Sequence, residues 1–310
     1  MSSNTPKQTP VLEIVLIFRH VFILPIIFFV NGCSTYQEVR FAAMGDTPYY
    51  ESETELENVS MALNQMADKG VPFVVHVGDI IRSGTECSQA LYQLRANIFS
   101  NSPIPFIITI GDNEFNDCRD PELARTHFIN VILGNPPPIQ WVSGKHNDVD
   151  PIKLTRQKAM IENAFWQMNG VTFILLAFPD LPGNFPLSQT QMGDIVRSNT
   201  DFLKATMQKA INNKHHAVVL IMHANPVNCL LPACTQFAES IKEEVTRFLK
   251  PVLLLNGSNH KSSFEKSGYL DIPNLSHLRP GNEPEVKWPE VIFSTQDNTF
   301  SVKWHYANYE

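Results

Sequence analysis

Three apolar runs in the sequence end in the same dipeptide, Gly-Asp. The aspartates that close these runs are Asp46, Asp79 and Asp112. A short β-branched run closed by glycine is typical of a buried strand. Ligands of open α/β sheets lie just beyond the carboxyl ends of the strands, so the three aspartates are predicted to meet at one edge.

Two later apolar runs, 217–222 and 252–255, are also predicted strands, and they lead to His223 and to Asn256 through His260. A further buried strand is predicted over 171–178. Apolar residues recur at helical spacing between the runs. The predicted helices cover 51–66, 87–99, a segment beginning at 120, 201–211 and 237–248. Alternating side chains from 291 to 306 predict a terminal hairpin, and the whole pattern indicates an α/β chain.

The composition is that of a globular protein with a sizeable core. The chain has 310 residues, of which 43% are hydrophobic and 18% charged, and its formal net charge is -7. No run of basic residues is present, so we expect no nucleic-acid partner. We expect a monomer.

The N-terminal segment is typical of an export signal. A basic flank with Arg19 precedes an apolar core over 21–30, which ends in Val30-Asn31-Gly32-Cys33 and resembles a bacterial lipoprotein box. We predict a signal peptide over 1–32, a lipid on Cys33, and a mature domain over 33–310. Because Ser34 rather than Asp follows the cysteine, we expect the periplasmic face of the outer membrane. The alternative is an uncleaved anchor, which Glu13, Arg19 and Pro25 disfavour.

Four cysteines remain in the mature chain, and an even number in an exported protein indicates disulfides. They are Cys87, Cys118, Cys229 and Cys234. Three pairings exist. We favour Cys87–Cys118, because each lies a few residues past a Gly-Asp turn on neighbouring strands, with Cys229–Cys234 closing a small loop.

The predicted strand ends collect carboxylate, amide and imidazole groups at one edge. Like-charged carboxylates crowded together repel one another, and a divalent cation removes that conflict. This ligand set suits Mn, Fe, Zn or Mg, and we predict one or two divalent ions. The ligand candidates are Asp46, Asp79, Asp112, Asn113, His223 and His260.

The order and spacing of these groups resemble the calcineurin-like metallophosphoesterase superfamily over roughly 39–264. The motifs that carry the resemblance are Gly45-Asp46-Thr47-Pro48-Tyr49, His76-Val77-Gly78-Asp79-Ile80, Gly111-Asp112-Asn113-Glu114, His223 and Gly257-Ser258-Asn259-His260. They are most similar to divergent bacterial members with a Gly-Asp-Asn-Glu motif. The resemblance implies a four-layer αββα sandwich and hydrolysis of a phosphoester by direct attack of metal-bound hydroxide on phosphorus.

The family pattern implies roles for individual residues. Asp79 would bridge two metals, with Asp46 and His260 on the first. Asp79, His223 and the Gly-Asp-Asn-Glu loop would bind the second. The loop allows two registers: either Asp112 is the ligand and Asn113 takes the place of the family's catalytic histidine, or Asn113 is the ligand and Glu114 a proton donor. The candidate catalytic residues are Asn113, Glu114 and His223.

Three positions depart from the family pattern. The family has histidine at the positions of Pro48 and Ser258, and also at the position of Asn113 or its neighbour. These departures leave open a single-metal enzyme, or a non-catalytic binding lipoprotein on the same scaffold. We expect specificity to lie in loops such as 134–151, in which His146 is predicted to be a solvated loop histidine.

Overall fold

Two β-sheets lie at the centre of this computed structural model. It describes Met1 and residues 37–50, 52–134, 152–185, 187–229, 231–283 and 287–306. The first sheet has the strand order β12 (Thr299–Tyr306), β11 (Lys287–Ser294), β1 (Glu38–Met44), β2 (Val74–His76) and β3 (Phe106–Ile108). The second has the order β4 (Thr155–Arg156), β5 (Ala164–Met168), β6 (Val171–Leu175), β7 (Ala217–Met222), β8 (Val252–Asn256), β10 (Leu275–Arg279) and β9 (Ser263–Glu265).

Parallel pairing brings the predicted strand ends to one side. In the first sheet β1, β2 and β3 are parallel neighbours, and in the second β6, β7, β8 and β10 are parallel. The remaining strands pair antiparallel at the sheet margins. The carboxyl ends of the parallel strands therefore form the edge at which ligands bind in such sheets.

Helices connect the strands. They are α1 (Glu53–Asp68), α2 (Gln89–Ser100), α3 (Pro121–His127), α4 (Gln189–Asn212) and α5 (Pro232–Phe248). A π-helical segment, Phe128–Gly134, continues α3, and short 3₁₀ turns cover Pro226–Asn228 and Tyr269–Asp271. Among the described residues, no helix is both long and apolar enough to cross a bilayer.

Alternate residues of the strands enter two hydrophobic cores. In β1, Phe41 and Ala43 lie between the two sheets, and the ring of Phe41 meets the ring of Phe173 from the other sheet at 5.4 Å. Ala42 and Met44 belong to the core that includes the buried faces of the helices. This period-2 alternation confirms the predicted four-layer sandwich.

Helix α4 begins earlier than the sequence pattern predicted. It starts at Gln189, whereas the prediction began at 201. Ser188 and Gln191 form a reciprocal capping box at its start. The first turns are mostly polar, but Ile195 and Val196 are buried, so the packing extends a helix that periodicity alone did not mark.

Both favoured disulfides are present. Cys87–Cys118 joins the loop before α2 to the loop after β3. Cys229–Cys234 joins the segment that precedes α5 to the first turn of that helix. The predicted signal peptide with Cys33, and the segment 135–151 with His146, lie outside the described residues.

Candidate metal centre

Three aspartates converge at the carboxyl ends of β1, β2 and β3. The backbone N–H of Asp46 donates to the carbonyl of Gly78 at 2.9 Å, and that of Asn113 donates to Asp79 Oδ1 at 3.2 Å. Asp46 and Asp79 both have left-handed backbone, with φ of 55° and 60°. Such conformations are uncommon outside glycine and cluster at functional sites.

Glycine is required where these turns meet. A Cβ at Gly111 would lie 2.1 Å from Asp79 Oδ1. A Cβ at Gly257 would lie 2.9 Å from Asp46 Oδ2 and 3.2 Å from His223 Nδ1. The Gly residues of the motifs therefore let polar side chains approach a neighbouring backbone closely.

His223 lies at the centre of the carboxylates and is fully buried. Its Nδ1 is 2.8 Å from the carbonyl oxygen of Val77, which can only accept, so Nδ1 carries the hydrogen. Nε2 therefore faces the carboxylates, 3.4 Å from Asp79 Oδ1 and 2.9 Å from Asp112 Oδ1. A backbone carbonyl that fixes the far nitrogen is the usual arrangement of a metal-ligating histidine.

Two overlapping groups of ligand atoms share this imidazole. The first is Asp46, Asp79 and His223, and the second is Asp112, Asp180 and His223; within each, the ligand atoms lie within 4.8 Å of one another. Asp180 was not among the sequence candidates. Four residues separate Asp180 from the end of β6, so Asp180 does not directly follow the apolar run. The available signal in the sequence was an aspartate after a buried strand.

The electrostatics are those of crowded buried acids. Burial raises the pKa of Asp46, of Asp180 and, most strongly, of Asp79. Burial opposes protonation of His223, but Asp79 and Asp112 outweigh it and hold its pKa well above the usual value. Burial acts to raise the pKa of Asp112 too, and the contact with His223 reverses this to a lowered value.

A cation would satisfy buried atoms that have few partners or none. Among the described residues, Asp46 Oδ2 makes no hydrogen bond, and Asp112 Oδ1 and His223 Nε2 pair with each other at 2.9 Å only when Nε2 is protonated. All three residues belong to the two groups of candidate ligands. Oxygen and imidazole donors of this kind fit a divalent cation such as Mn, Fe or Zn.

In the third motif, the Asp112 carboxylate belongs to a candidate group of metal ligands. Asp112 contacts His223, while Asn113 lines the open pocket. Glu114 is fully buried, and its oxygens accept the backbone N–H groups of Asp79, Ile80 and Gly111 at 2.6–3.0 Å. Burial raises its pKa to about 7. These contacts favour a structural role for Glu114, which ties the two loops together.

The last motif reaches the site from β8. The backbone N–H of Ser258 donates to Asp46 Oδ1 at 3.0 Å, and its hydroxyl donates to Asp180 Oδ2. His260 Nε2 lies 3.6 Å from Asp46 Oδ1 and belongs to neither group of three ligands. It is half-exposed and contacts Tyr49.

Tyr49 is a second residue that the sequence reasoning missed. Its hydroxyl lies 2.7 Å from His260 Nε2 and 3.4 Å from both Asp46 Oδ1 and Asp79 Oδ2. Burial and the neighbouring carboxylates raise its pKa, so the hydroxyl stays protonated. Its place in the Gly-Asp-Thr-Pro-Tyr motif was the available signal.

A cavity of about 720 Å³ opens above these groups. Among the described residues that line the cavity, Arg82 is the only basic side chain of the lysine or arginine type. Its guanidinium lies 5.2 Å from the centre of the Tyr50 ring. Asn113 and Asn184 add amide groups. The cavity therefore combines an acidic floor with a cation and amides on its wall.

Buried His76 holds two of the loops in register. One ring nitrogen accepts the backbone N–H of Gly78 at 3.1 Å, and the other donates to the carbonyl of Thr47 at 2.8 Å. The ring is fully buried, and burial lowers its pKa to about 3. It is therefore a neutral support beneath the Asp46 and Asp79 turns.

Comparison with solved structures identifies the fold of this chain. No protein-family model matches the sequence, and no curated protein matches it. The structure is similar to a dimetal phosphatase from Danio rerio, with a TM-score of 0.55 and 10% identity over 88% of this chain and 100% of that one. It is also similar to a purple acid phosphatase from yellow lupin (Lupinus luteus) seeds, with a TM-score of 0.50 and 10% identity over 87% of this chain and 52% of the lupin chain. This chain thus spans about half of the lupin enzyme. The likeness establishes that the chain has the metallophosphoesterase fold.

Proposed function

We propose that this protein is a metal-dependent phosphoester hydrolase. The observation that carries the proposal is the position of His223 Nε2, which is buried and aimed at carboxylates of both candidate ligand groups. Nε2 lies 2.9 Å from Asp112 Oδ1 and 3.4 Å from Asp79 Oδ1, so a positive charge is needed there, and a proton on Nε2 supplies it when no metal is bound. A bound divalent cation would replace that proton and offset the charge of more than one carboxylate.

The ligands of the metal are divided between the two groups. Because Nδ1 carries the hydrogen, Nε2 of His223 would bind one ion only, either with Asp46 and Asp79 or with Asp112 and Asp180, and the carboxylates of the other group would hold a second ion. Divalent ions bound there would offset charge on phosphoryl oxygens and lower the pKa of water. The structural relatives include a dimetal phosphatase, which supports two ions.

The chain's own residues would orient the ester. Arg82 can neutralise a phosphoryl oxygen at the mouth of the cavity, and the Asn113 amide can donate to another. Asn113 has no proton to give to a leaving group at neutral pH, unlike an imidazole. We therefore expect the enzyme to favour esters whose leaving group departs without protonation, such as aryl esters.

Hydrolysis and metal content test this function together. Purified protein should contain stoichiometric divalent metal, or take it up, and should hydrolyse 4-nitrophenyl phosphate or bis(4-nitrophenyl) phosphate with Mn²⁺. Asp79→Asn should reduce turnover by about 100-fold or more, because it removes the carboxylate next to both His223 and Asp46. The control Asp297→Asn, an exposed site, should match wild type. Release no greater than a metal-only blank with Mn²⁺, Fe²⁺, Zn²⁺ and Mg²⁺ would refute the proposal.

A non-catalytic phosphoester-binding module is the second candidate. It is favoured by the Tyr49 hydroxyl, which lies within 3.4 Å of Asp46, Asp79 and His260 and occupies space above the acids. It is also favoured by Pro48 and Asn113 at positions of the family histidines. This module would bind inorganic phosphate in calorimetry with metal present but would release no 4-nitrophenolate.

We also propose that the protein is exported and attached to the outer membrane through lipid on Cys33. The lipoprotein-like sequence 30–33 supports this, as do the two disulfides, which are typical of oxidising compartments. Mass spectrometry of protein from a membrane fraction should find a lipid-modified N-terminus at Cys33. Recovery of Cys33→Ser protein with the same membrane attachment would contradict the proposal.

A further inference from the structure

A second cavity lies beside the metal cavity and differs from it in chemistry. We call it the side groove, and it has a volume of about 860 Å³. Its apolar wall is formed by Cys87, Pro121, Leu123, Ala124 and Phe185. Charged side chains also border it, namely Glu86, Asp117, Arg119 and Asp120.

The side groove adjoins the metal cavity along a shared ridge. Asp117 lines both cavities. Ser83 and Asn184 line the metal cavity, while the residues that follow them, Gly84 and Phe185, line the side groove. A ligand whose phosphate lies at the metal cavity can therefore extend past Asp117 into the groove.

The ridge is built from a closed set of hydrogen bonds. The Ser83 hydroxyl donates to Asp117 Oδ2 at 2.6 Å, and the Asn184 side chain donates to Asp117 Oδ2 at 2.8 Å and to Ser83 Oγ at 2.7 Å. The backbone N–H of Asn184 donates to Asp117 Oδ1 at 2.6 Å. These bonds fix the backbone that presents Phe185, and the N–H of Phe185 itself donates to the carbonyl of Asn116 at 2.9 Å.

Two large apolar side chains are left exposed in the side groove. Leu123 is 50% exposed and Phe185 is 42% exposed. Exposed large apolar side chains beside a polar site indicate a binding surface, because a ligand that covers them makes the free energy of binding more favourable. The polar cavity floor and the apolar side groove therefore suit the two ends of one amphiphilic molecule.

We propose that the side groove is a subsite for the organic group of the substrate, and that the substrates are aryl phosphoesters whose organic group carries an extended apolar chain. This inference depends on the proposed function, because it places the phosphate at the metal cavity. The groove contributes ground-state binding. It should therefore lower KM for long-chain esters and leave kcat nearly unchanged.

Binding of non-hydrolysable alkylphosphonates tests the inference without turnover. Calorimetry on the Mn²⁺-loaded protein would compare inorganic phosphate, propylphosphonate and octylphosphonate. Each buried methylene contributes about fourfold in affinity, so octylphosphonate should bind at least about tenfold more tightly than propylphosphonate. Phe185→Ala and Leu123→Ala should each reduce this ratio by about threefold or more, with unchanged affinity for inorganic phosphate.

The matched control is Met61→Ala, which removes an apolar side chain of similar exposure, 45%, from α1. Its octyl to propyl ratio should equal that of wild type. Equal affinities of wild type for the two phosphonates would overturn the inference, as would a ratio that survives both groove substitutions. Failure of inorganic phosphate itself to bind would instead count against the proposed function.

Discussion

At the scale of single residues, the site depends on places where a side chain is absent. Gly111 is such a place, because a Cβ there would overlap Asp79 Oδ1. Gly111→Ala should displace the Asp79 carboxylate and weaken metal binding by about tenfold or more, measured by titration calorimetry. A variant that binds metal as wild type does would contradict this account of the turn.

Gly193 supplies the control for that substitution. It lies within α4, and a Cβ would meet nothing within 4 Å. Gly193→Ala should stabilise the protein by about 0.5–1 kcal/mol, since alanine is the better helix former, and should leave metal affinity unchanged. Chemical denaturation measures the first effect.

His76 gives a prediction about acid stability. Burial lowers its pKa from 6.5 to about 3. Between these two pH values His76 is protonated in the unfolded chain and neutral in the folded chain. Its contribution to stability is therefore present above pH 6.5 and is lost as pH falls, by up to about 1.4 kcal/mol per pH unit.

His76→Gln tests this sign. Glutamine keeps a donor and an acceptor but does not titrate, so the variant should be less stable than wild type at pH 8, and the difference should narrow towards pH 5. Parallel curves for His76→Gln and wild type, from denaturant titrations at each pH, would show that His76 does not carry this dependence.

The sequence indicated the site residues that directly follow an apolar run. Asp46, Asp79 and His223 are of this kind, and the structure brings them together. Asp180 and Tyr49 lie further along their loops, where position depends on how the loop folds over its neighbours. No periodicity encodes that position, so the sequence offered only weak signals for them, a motif for Tyr49 and a preceding buried strand for Asp180.

At the scale of elements, the two disulfides differ in the chain they enclose. Cys87 and Cys118 are 31 residues apart, whereas Cys229 and Cys234 are 5 apart. The entropy of the unfolded chain falls more for the longer loop, so replacing Cys87 and Cys118 by Ser should cost about 4 kcal/mol of stability, against about 2 for the other pair. Urea denaturation of the two double variants measures this, and equal losses would contradict the loop-length argument.

Elements with a single clear period were the ones that sequence predicted well. Strand β7 has the predicted bounds, Ala217–Met222. Strand β10, Leu275–Arg279, was not predicted, because its buried polar residues Ser276 and His277 break the apolar pattern. Their hydrogen-bond partners, Lys266 and Asn256, lie 10 and 21 residues away in the sequence. The early start of α4 was missed for the related reason that capping and packing, rather than periodicity, define it.

At the scale of the whole molecule, metal should stabilise the fold. The folded chain gathers acids whose charges repel, whereas the unfolded chain disperses them. A cation that binds only the folded state at 100 times its Kd adds about 2.7 kcal/mol. Mn²⁺ should therefore raise Tm by several degrees, a chelator should reverse the rise, and Asp79→Asn should abolish it in differential scanning fluorimetry. An identical Tm with Mn²⁺ and with chelator would argue against a metal centre.

The origin of the site's side chains has a mechanical consequence. Asp46, Asp79 and Asp112 extend from the first sheet, whereas Asp180 and His223 extend from the second. Any ion shared between them would act as a cross-link between the two sheets, in addition to the hydrogen bonds that already join His223 to Val77 and Ser258 to Asp46. Sliding of one sheet over the other would then stretch coordination bonds, so the alignment of the sandwich and the occupancy of its centre would reinforce each other.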